Sequence, residues 1–282
     1  MKNLLRYFLY LLLFLFLLGG SVYMVVLAPF LKSMNQTTLV QVDPNFTLML
    51  GGGGNSGIFE SADQVVLIDT KMDQPAEQLH QLVQTKLQNK RLTVINTHWH
   101  PDHVGGNKFY QGSSIIAGNY GKEAWIKENK EEGLPDLWLK DTMTIHLDKD
   151  TLVVFNFHRR AHTSNDVMVY SKQRQLLFTG DLVQNKQCPV LLGDANANEY
   201  LHIIDWLSAN LKIRTLVPRH GFPGGPILLQ EFKTYLLDMR EAAKDPEKEK
   251  DLVAKYKKWR QLPFLMSPGA SVKHFKKLKS ES

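Results

Sequence analysis

Cysteine is nearly absent from this sequence of 282 residues, which excludes a small fold held together by disulfides. The single cysteine, Cys188, cannot form a disulfide within the chain, so the fold does not depend on disulfide staples. Cys188 has no nearby base in the sequence and is interpreted as a structural thiol, not a nucleophile. Both oxidising and reducing compartments remain open, because a large hydrophobic core needs no disulfide.

The sequence also lacks internal repeats, heptads and a phosphate-binding loop. The glycine run at 51–54 is not followed by Gly-Lys-Ser/Thr, so we interpret it as a tight bend between strands. Close approach of this bend to a nearby site is a second role that glycine permits. Hydrophobic content of 43% and charged content of 22% are ordinary for a globular domain, so a substantial core is expected.

Charged residues are missing from Tyr7 to Leu31, an apolar stretch longer than the roughly 20 residues that cross a bilayer. Lys2 and Arg6 precede it, and positive charge favours the cytoplasmic side. We therefore interpret residues 1–33 as an N-terminal transmembrane helix. It would anchor the rest of the chain to the membrane on the extracytoplasmic (periplasmic or extracellular) side. A cleaved signal peptide, which would release a secreted protein, is the alternative.

The net charge of +6 is concentrated near the other end of the chain, where residues 273–279 hold four lysines. Residues 245–282 are interpreted as a basic, mainly helical C-terminal extension that follows a main domain at 38–244. A solvated helix face is favoured over binding to anionic lipid or nucleic acid.

Hydrophobic periodicity between these ends predicts an α+β protein in which strands and helices alternate in groups. Helices are predicted at 74–88, 122–131, 198–211 and 224–239. Strands are predicted at 39–42, 46–50, 58–60, 64–68, 92–96, 114–117, 142–146, 152–157, 167–170, 176–179 and 215–217. So few long helices suffice to cover the two outer faces of packed sheets.

Four potential metal ligands lie within six residues, in the motif His98-x-His100-x-Asp102-His103. His98 and His100 alternate as residues on one face of a strand end do, and Pro101 then ends regular pairing. Asp102 and His103 are thereby turned toward the site from another side. Neutral imidazoles with carboxylates are typical ligands of zinc.

Three further candidates, His162, Asp181 and His220, occur singly in predicted loops beside strand ends. Loops at the strand ends of one sheet edge commonly carry a site, so these side chains are expected to join the motif.

The order of these seven residues, with Asp69 after a strand, resembles the metallo-β-lactamase superfamily over roughly residues 38–240. The resemblance implies a four-layer αββα sandwich with its metals at one edge. It implies that His98, His100 and His162 hold one metal, that Asp102, His103 and His220 hold a second, and that Asp181 bridges them. It also implies that Asp69 supports the ligand loop or has a plain structural role.

A dinuclear hydrolase follows from this resemblance: two Zn²⁺ (iron or manganese being other options) would share a hydroxide that attacks an ester, thioester, lactone or amide-like small molecule. Asp102 would orient the nucleophile and handle a proton. Class B1 β-lactamases have cysteine and class B3 enzymes serine at the position of Asp181, so the ligand set resembles glyoxalase II more closely.

The main alternative is a single-iron sulfur dioxygenase of the same fold, which needs only two of the histidines and Asp181. A β-lactamase, a non-enzymatic metal protein and a nuclease are less favoured, and nucleic acid is not expected as a partner. The oligomeric state is left open.

Overall fold

A computed structural model describes residues 35–119, 122–129, 133–164, 166–193, 195–259 and 266–280. The transmembrane helix predicted at 1–33 lies outside these residues. None of the helices within them has both the length and the apolar character needed to span a bilayer.

Two sheets form the centre of the described part of the chain. The first sheet has the strand order β1-β2-β3-β4-β5-β6-β7 and the second has the order β12-β11-β10-β9-β8. The strands are β1 (Thr37–Asp43), β2 (Phe46–Gly51), β3 (Ser56–Glu60), β4 (Gln64–Ile68), β5 (Arg91–Ile95), β6 (Ser114–Gly118), β7 (Leu137–Leu139), β8 (Met143–Leu147), β9 (Asp150–Asn156), β10 (Val167–Ser171), β11 (Leu176–Phe178) and β12 (Thr215–Val217).

Helices cover the outer faces of these sheets. They are α1 (Asp73–Leu87), α2 (Pro101–Val104), α3 (Lys122–Asn129), α4 (Ala197–Asn210), α5 (Ile227–Lys244), α6 (Pro246–Lys255) and α7 (Pro268–Ser280). Two single turns of 3₁₀ helix occur at Asn107–Tyr110 and Gly180–Leu182.

Three apolar clusters define the layers of the fold. Between the sheets, the rings of Phe46 and Phe59 stack at 4.2 Å, and Phe178 of the second sheet meets both edge-on. On the outer face of the first sheet, α1 buries Leu79 and Val83. On the outer face of the second sheet, α4, α5 and α7 form the largest cluster. The layer order is therefore helix, sheet, sheet, helix, as predicted for an α+β sandwich.

Strand direction brings the predicted site residues to one edge of this sandwich. β4 and β5 are parallel neighbours in the first sheet, and β11 and β12 are parallel neighbours in the second. Each of these four strands is followed by a candidate residue, and parallel strands end at the same edge of a sheet. A hydrogen bond from the amide of Val167, the first residue of β10, to the carbonyl of Thr97 (2.8 Å), just after β5, links the two sheets at that edge.

The predicted strands and helices correspond to those of the structure within a few residues, with four differences. The one-turn helix α2, inside the ligand motif, was not predicted. The short edge strand β7 was not predicted, because three residues carry too little periodicity. Helix α5 continues five residues beyond the predicted end at 239. The lysines of the C-terminal extension are exposed, yet its apolar side packs on the main domain, where Tyr256, Val272 and Phe275 are buried.

Candidate metal centre

The ligand motif begins directly after β5 and turns into the short helix α2. Pro101 occupies the first position of that helix, where its missing N–H leaves no donor unsatisfied and its fixed φ suits the turn. His98 and His100 precede this turn, whereas Asp102 and His103 lie within it and are buried. One short segment therefore presents ligands from two directions.

The first group of candidate ligands is compact. One ligand atom from each of His98, His100, His162 and Asp181 lies within 4.8 Å of the other three. Nε2 of His162 is 2.9 Å from Nδ1 of His100 and 2.9 Å from Oδ2 of Asp181, and Nε2 of His98 is 3.0 Å from Nδ1 of His100. Three imidazoles and a carboxylate converging in this way form a donor set that suits zinc.

The second group adjoins the first through Asp181. Nε2 of His103 lies 3.2 Å from Oδ1 of Asp181 and 3.7 Å from Oδ2 of Asp102. Nε2 of His220, which follows β12, lies 3.8 Å from the same Asp102 oxygen. All seven predicted residues are thus neighbours at one edge, and Asp181 presents one oxygen to each group.

Asp69 holds the ligand motif in place through hydrogen bonds to Thr97 and His103. Its carboxylate accepts hydrogen bonds from the amide and hydroxyl of Thr97, both at 2.8 Å, and from Nδ1 of His103 at 2.7 Å. A carboxylate has no hydrogen to donate, so Nδ1 of His103 carries the proton in this contact. A neutral His103 would therefore present an unprotonated Nε2 to the site.

His162 is held by two residues that the sequence did not reveal. Asp166 is buried and accepts hydrogen bonds from the amides of His162 and Thr163 and from the hydroxyl of Thr163. The hydroxyl of Tyr200, on α4, lies 3.0 Å from Nδ1 of His162 and leaves Nε2 facing the other ligands. Both contacts fix the orientation of the imidazole.

The glycine run packs directly against the second ligand group. A Cβ at Gly53 would lie 2.8 Å from Cβ of Asp102, and one at Gly54 would lie 2.6 Å from the ring of His103. The ammonium of Lys71, fully buried, donates to the carbonyls of Met49, Gly51 and Gly54 at 2.6–3.0 Å. Side chains at these glycines would collide with the ligands, which confirms the predicted close approach.

Arg219 is another supporting residue that the sequence did not reveal. Its guanidinium donates to Oδ2 of Asp102 at 2.8 Å and to Oδ2 of Asp181. It immediately precedes His220, and the amide of Asn55 holds its carbonyl at 2.8 Å. A positive charge therefore lies against both carboxylates of the candidate ligands.

The balance of burial and nearby charged groups raises the pKa of one candidate ligand histidine and lowers the pKa values of two others. Burial opposes a charged His103, but the carboxylates of Asp69 and Asp102 outweigh it and raise the pKa of His103 to about 10. Burial and the neighbouring cations lower the pKa values of His100 and His220 to about 3. Burial also disfavours the carboxylate of Asp102, yet Arg219 and His103 lower its pKa. Two neutral imidazoles and an ionised carboxylate are forms that bind a dication.

The polar atoms at the junction of the two groups lack ordinary partners. In the described part of the chain, Nε2 of His103 and Oδ1 of Asp181 are buried and make no hydrogen bond, although they lie 3.2 Å apart. Buried polar atoms without partners are rare outside ligand-binding places. The residues present therefore fit a metal ion.

Trp99, between two of the ligands, packs against the small cluster of Val104, Ala117 and Trp125. Cys188 is buried in the core and burial raises its pKa to about 11, as expected of a structural thiol.

A four-layer sandwich with a His/Asp metal-binding group at its edge defines a class of metal-dependent proteins that are mostly hydrolases. The chain belongs to the metallo-beta-lactamase superfamily, whose family model matches residues 49–220.

Similar proteins support the same assignment. The metallo-beta-lactamase type 2 of Bacteroides fragilis is 27% identical over 198 residues, which cover 68% of this chain and 78% of that protein. The type 2 enzyme of Bacillus sp. (strain 170) is 30% identical over 181 residues, covering 62% and 69%. The solved metallo-beta-lactamase from Pontibacter korlensis superposes with a TM-score of 0.62 and 26% identity, covering 71% of this chain and 98% of that one.

Proposed function

We propose that this protein is a zinc-dependent hydrolase of an ester, thioester, lactone or amide-like small molecule, with a dinuclear site. The observation that carries the proposal is the convergence of His98, His100, His162 and Asp181, with a second His/Asp group sharing Asp181. The first zinc would be held by the three histidines and the second by Asp102, His103 and His220. Zinc, when bound, supplies an acidified water and an electrophilic centre for a carbonyl oxygen.

The chain's own residues have distinct tasks in this proposal. Asp69 fixes the ring of His103, and Tyr200 fixes the ring of His162, so that the ligand nitrogens face inward. Asp102 is ionised, and its Oδ2, between the rings of His103 and His220, accepts a proton from the attacking water. No serine or cysteine nucleophile is required. His100 is only partly buried, so substrate is expected to approach from its side.

β-Lactam hydrolysis is a second candidate because two relatives are type 2 metallo-beta-lactamases. Asp181 disfavours it, since it stands where class B1 enzymes have cysteine. The sole thiol, Cys188, is buried in the core and does not supply the missing sulfur ligand.

Metal content tests the proposal most directly. Elemental analysis of the full-length chain, beside a panel of esters, thioesters, lactones and β-lactams, should find up to two zinc ions and turnover of an activated ester or thioester. His162→Ala should abolish the tightly bound zinc, whereas His220→Ala should retain one ion. His202→Ala, at an exposed histidine outside the site, is the matched control and should equal the parent.

Other outcomes would reject the proposal in distinct ways. One iron per chain with oxygen uptake on a persulfide would establish the dioxygenase. Failure to bind zinc after it is supplied would reject the ligand assignment. Zinc content unchanged by His162→Ala would do the same.

We also propose that residues 1–33 anchor the protein, with the domain outside the cytoplasm. The uncharged stretch from Tyr7 to Leu31 supports this. The full-length chain should remain in the membrane fraction after alkaline carbonate washing and be accessible to protease from the extracytoplasmic side. Recovery as a shorter soluble chain would indicate a cleaved signal peptide instead.

A further inference from the structure

Arg219 lies against the two carboxylates of the candidate metal site. Its guanidinium contacts Oδ2 of Asp102, in the second ligand group, and Oδ2 of Asp181, the oxygen that faces the first group. The side chain is only 12% exposed, and its Nε makes no hydrogen bond within the described part of the chain. The contacts of Arg219 are thus directed at the acidic ligands.

The two ligand groups differ in how far this cation affects them. The first group has three imidazoles, and Arg219 touches only its carboxylate. The second group has two imidazoles, and the oxygen that its own carboxylate, Asp102, turns toward them is already paired with Arg219. An arginine keeps its charge at any physiological pH, so it cannot yield to a metal by losing a proton.

We propose that Arg219 is a resident cation of the second site that makes zinc binding sequential, with the first ion tight and the second weaker and exchangeable. This inference rests on the proposed zinc site. A second dication must share the carboxylate of Asp102 with a guanidinium and is repelled by it at short range in a site sheltered from solvent. The first ion does not meet this competition to the same degree.

Zinc titration of the metal-stripped full-length chain, in competition with a chromophoric chelator, tests the proposal. Arg219→Gln removes the charge and keeps hydrogen-bonding groups. It should tighten the second zinc at least about tenfold, as expected from removing one nearby positive charge, and leave the first within about threefold. Arg219→Lys keeps the charge and should resemble the parent. Arg159→Gln removes an arginine that pairs with Glu199 at the surface, and it serves as the matched control.

Each result has a separate meaning. Unchanged or weaker second-site affinity in Arg219→Gln, with the first site intact, would overturn the competition while leaving the zinc hydrolase in place. Equal affinity for both ions in the parent chain would also overturn it, without reliance on any variant. Absence of zinc from the first site in every protein would refute the proposed function itself.

Discussion

Replacing Asp69 with asparagine should disable the second ligand group while leaving the first group nearly intact. The carboxylate of Asp69 accepts three hydrogen bonds, one of them from Nδ1 of His103 at 2.7 Å. Asparagine keeps one acceptor oxygen and places an NH₂ group toward His103. Since two donors cannot pair, the neutral form of His103, which is the form that binds metal, is expected to carry its single ring proton on Nε2, the atom that would bind metal.

The expected loss of zinc affinity is estimated from the loss of one hydrogen bond between the charged carboxylate of Asp69 and the candidate ligand His103. Removing such a partner typically weakens metal binding about 10–100-fold, or about 1.4–2.8 kcal/mol. Alanine at position 69 would instead leave three buried donors unpaired at about 1–3 kcal/mol each, a large part of the roughly 5–15 kcal/mol that holds a domain folded. Asparagine is therefore the informative change.

The assay combines zinc titration with urea unfolding of the metal-free protein. Asp69→Asn should lower second-site affinity about 10–100-fold and cost about 1–3 kcal/mol of unfolding free energy. Asp63→Asn, at a carboxylate that is 61% exposed and pairs with Arg91, is the matched control and should change neither. Parent-like zinc affinity in Asp69→Asn would refute the argument that this carboxylate sets the protonation of His103.

Three other predictions concern the same edge of the sandwich. Gly54→Ala should displace the ring of His103 and lower second-zinc affinity at least about tenfold, whereas Gly225→Ala, where a Cβ meets nothing within 4 Å, should change zinc titration little. Tyr200→Phe should weaken the first zinc by about tenfold or more in the same titration, while Tyr110→Phe, which removes a buried hydroxyl without a hydrogen bond in the described chain, should be neutral or stabilising. Because the pKa of His103 is raised to about 10, its ring is protonated at neutral pH without metal. Second-zinc binding should therefore release a proton and tighten roughly tenfold per pH unit up to about pH 10, as calorimetry in buffers of different ionisation heat would show.

The candidate ligands could be located from the sequence because the motif residues are close together and the others lie near strand ends. Two supporting residues, Arg219 and Tyr200, could not, since each acts across a long separation in the chain. Arg219 reaches Asp102 from 117 positions away, and Tyr200 reaches His162 from 38. No local spacing distinguishes these side chains from ordinary arginine or tyrosine residues. The buried face of α7 escaped notice for a related reason, because frequent lysines obscured its apolar side.

Lys71 and the glycine run at 51–54 show how contacts between residues distant in the sequence fix the position of candidate ligands. A buried lysine is unfavourable without partners, and burial lowers the pKa of Lys71 to about 7. Three carbonyls, two of them from the glycine run, surround its ammonium. Gly51 and Gly53 have φ values of 75° and 87°, which let the chain fold around that group. The same folding brings the glycines against Asp102 and His103, so the lysine stabilises the wall that fixes the second ligand group.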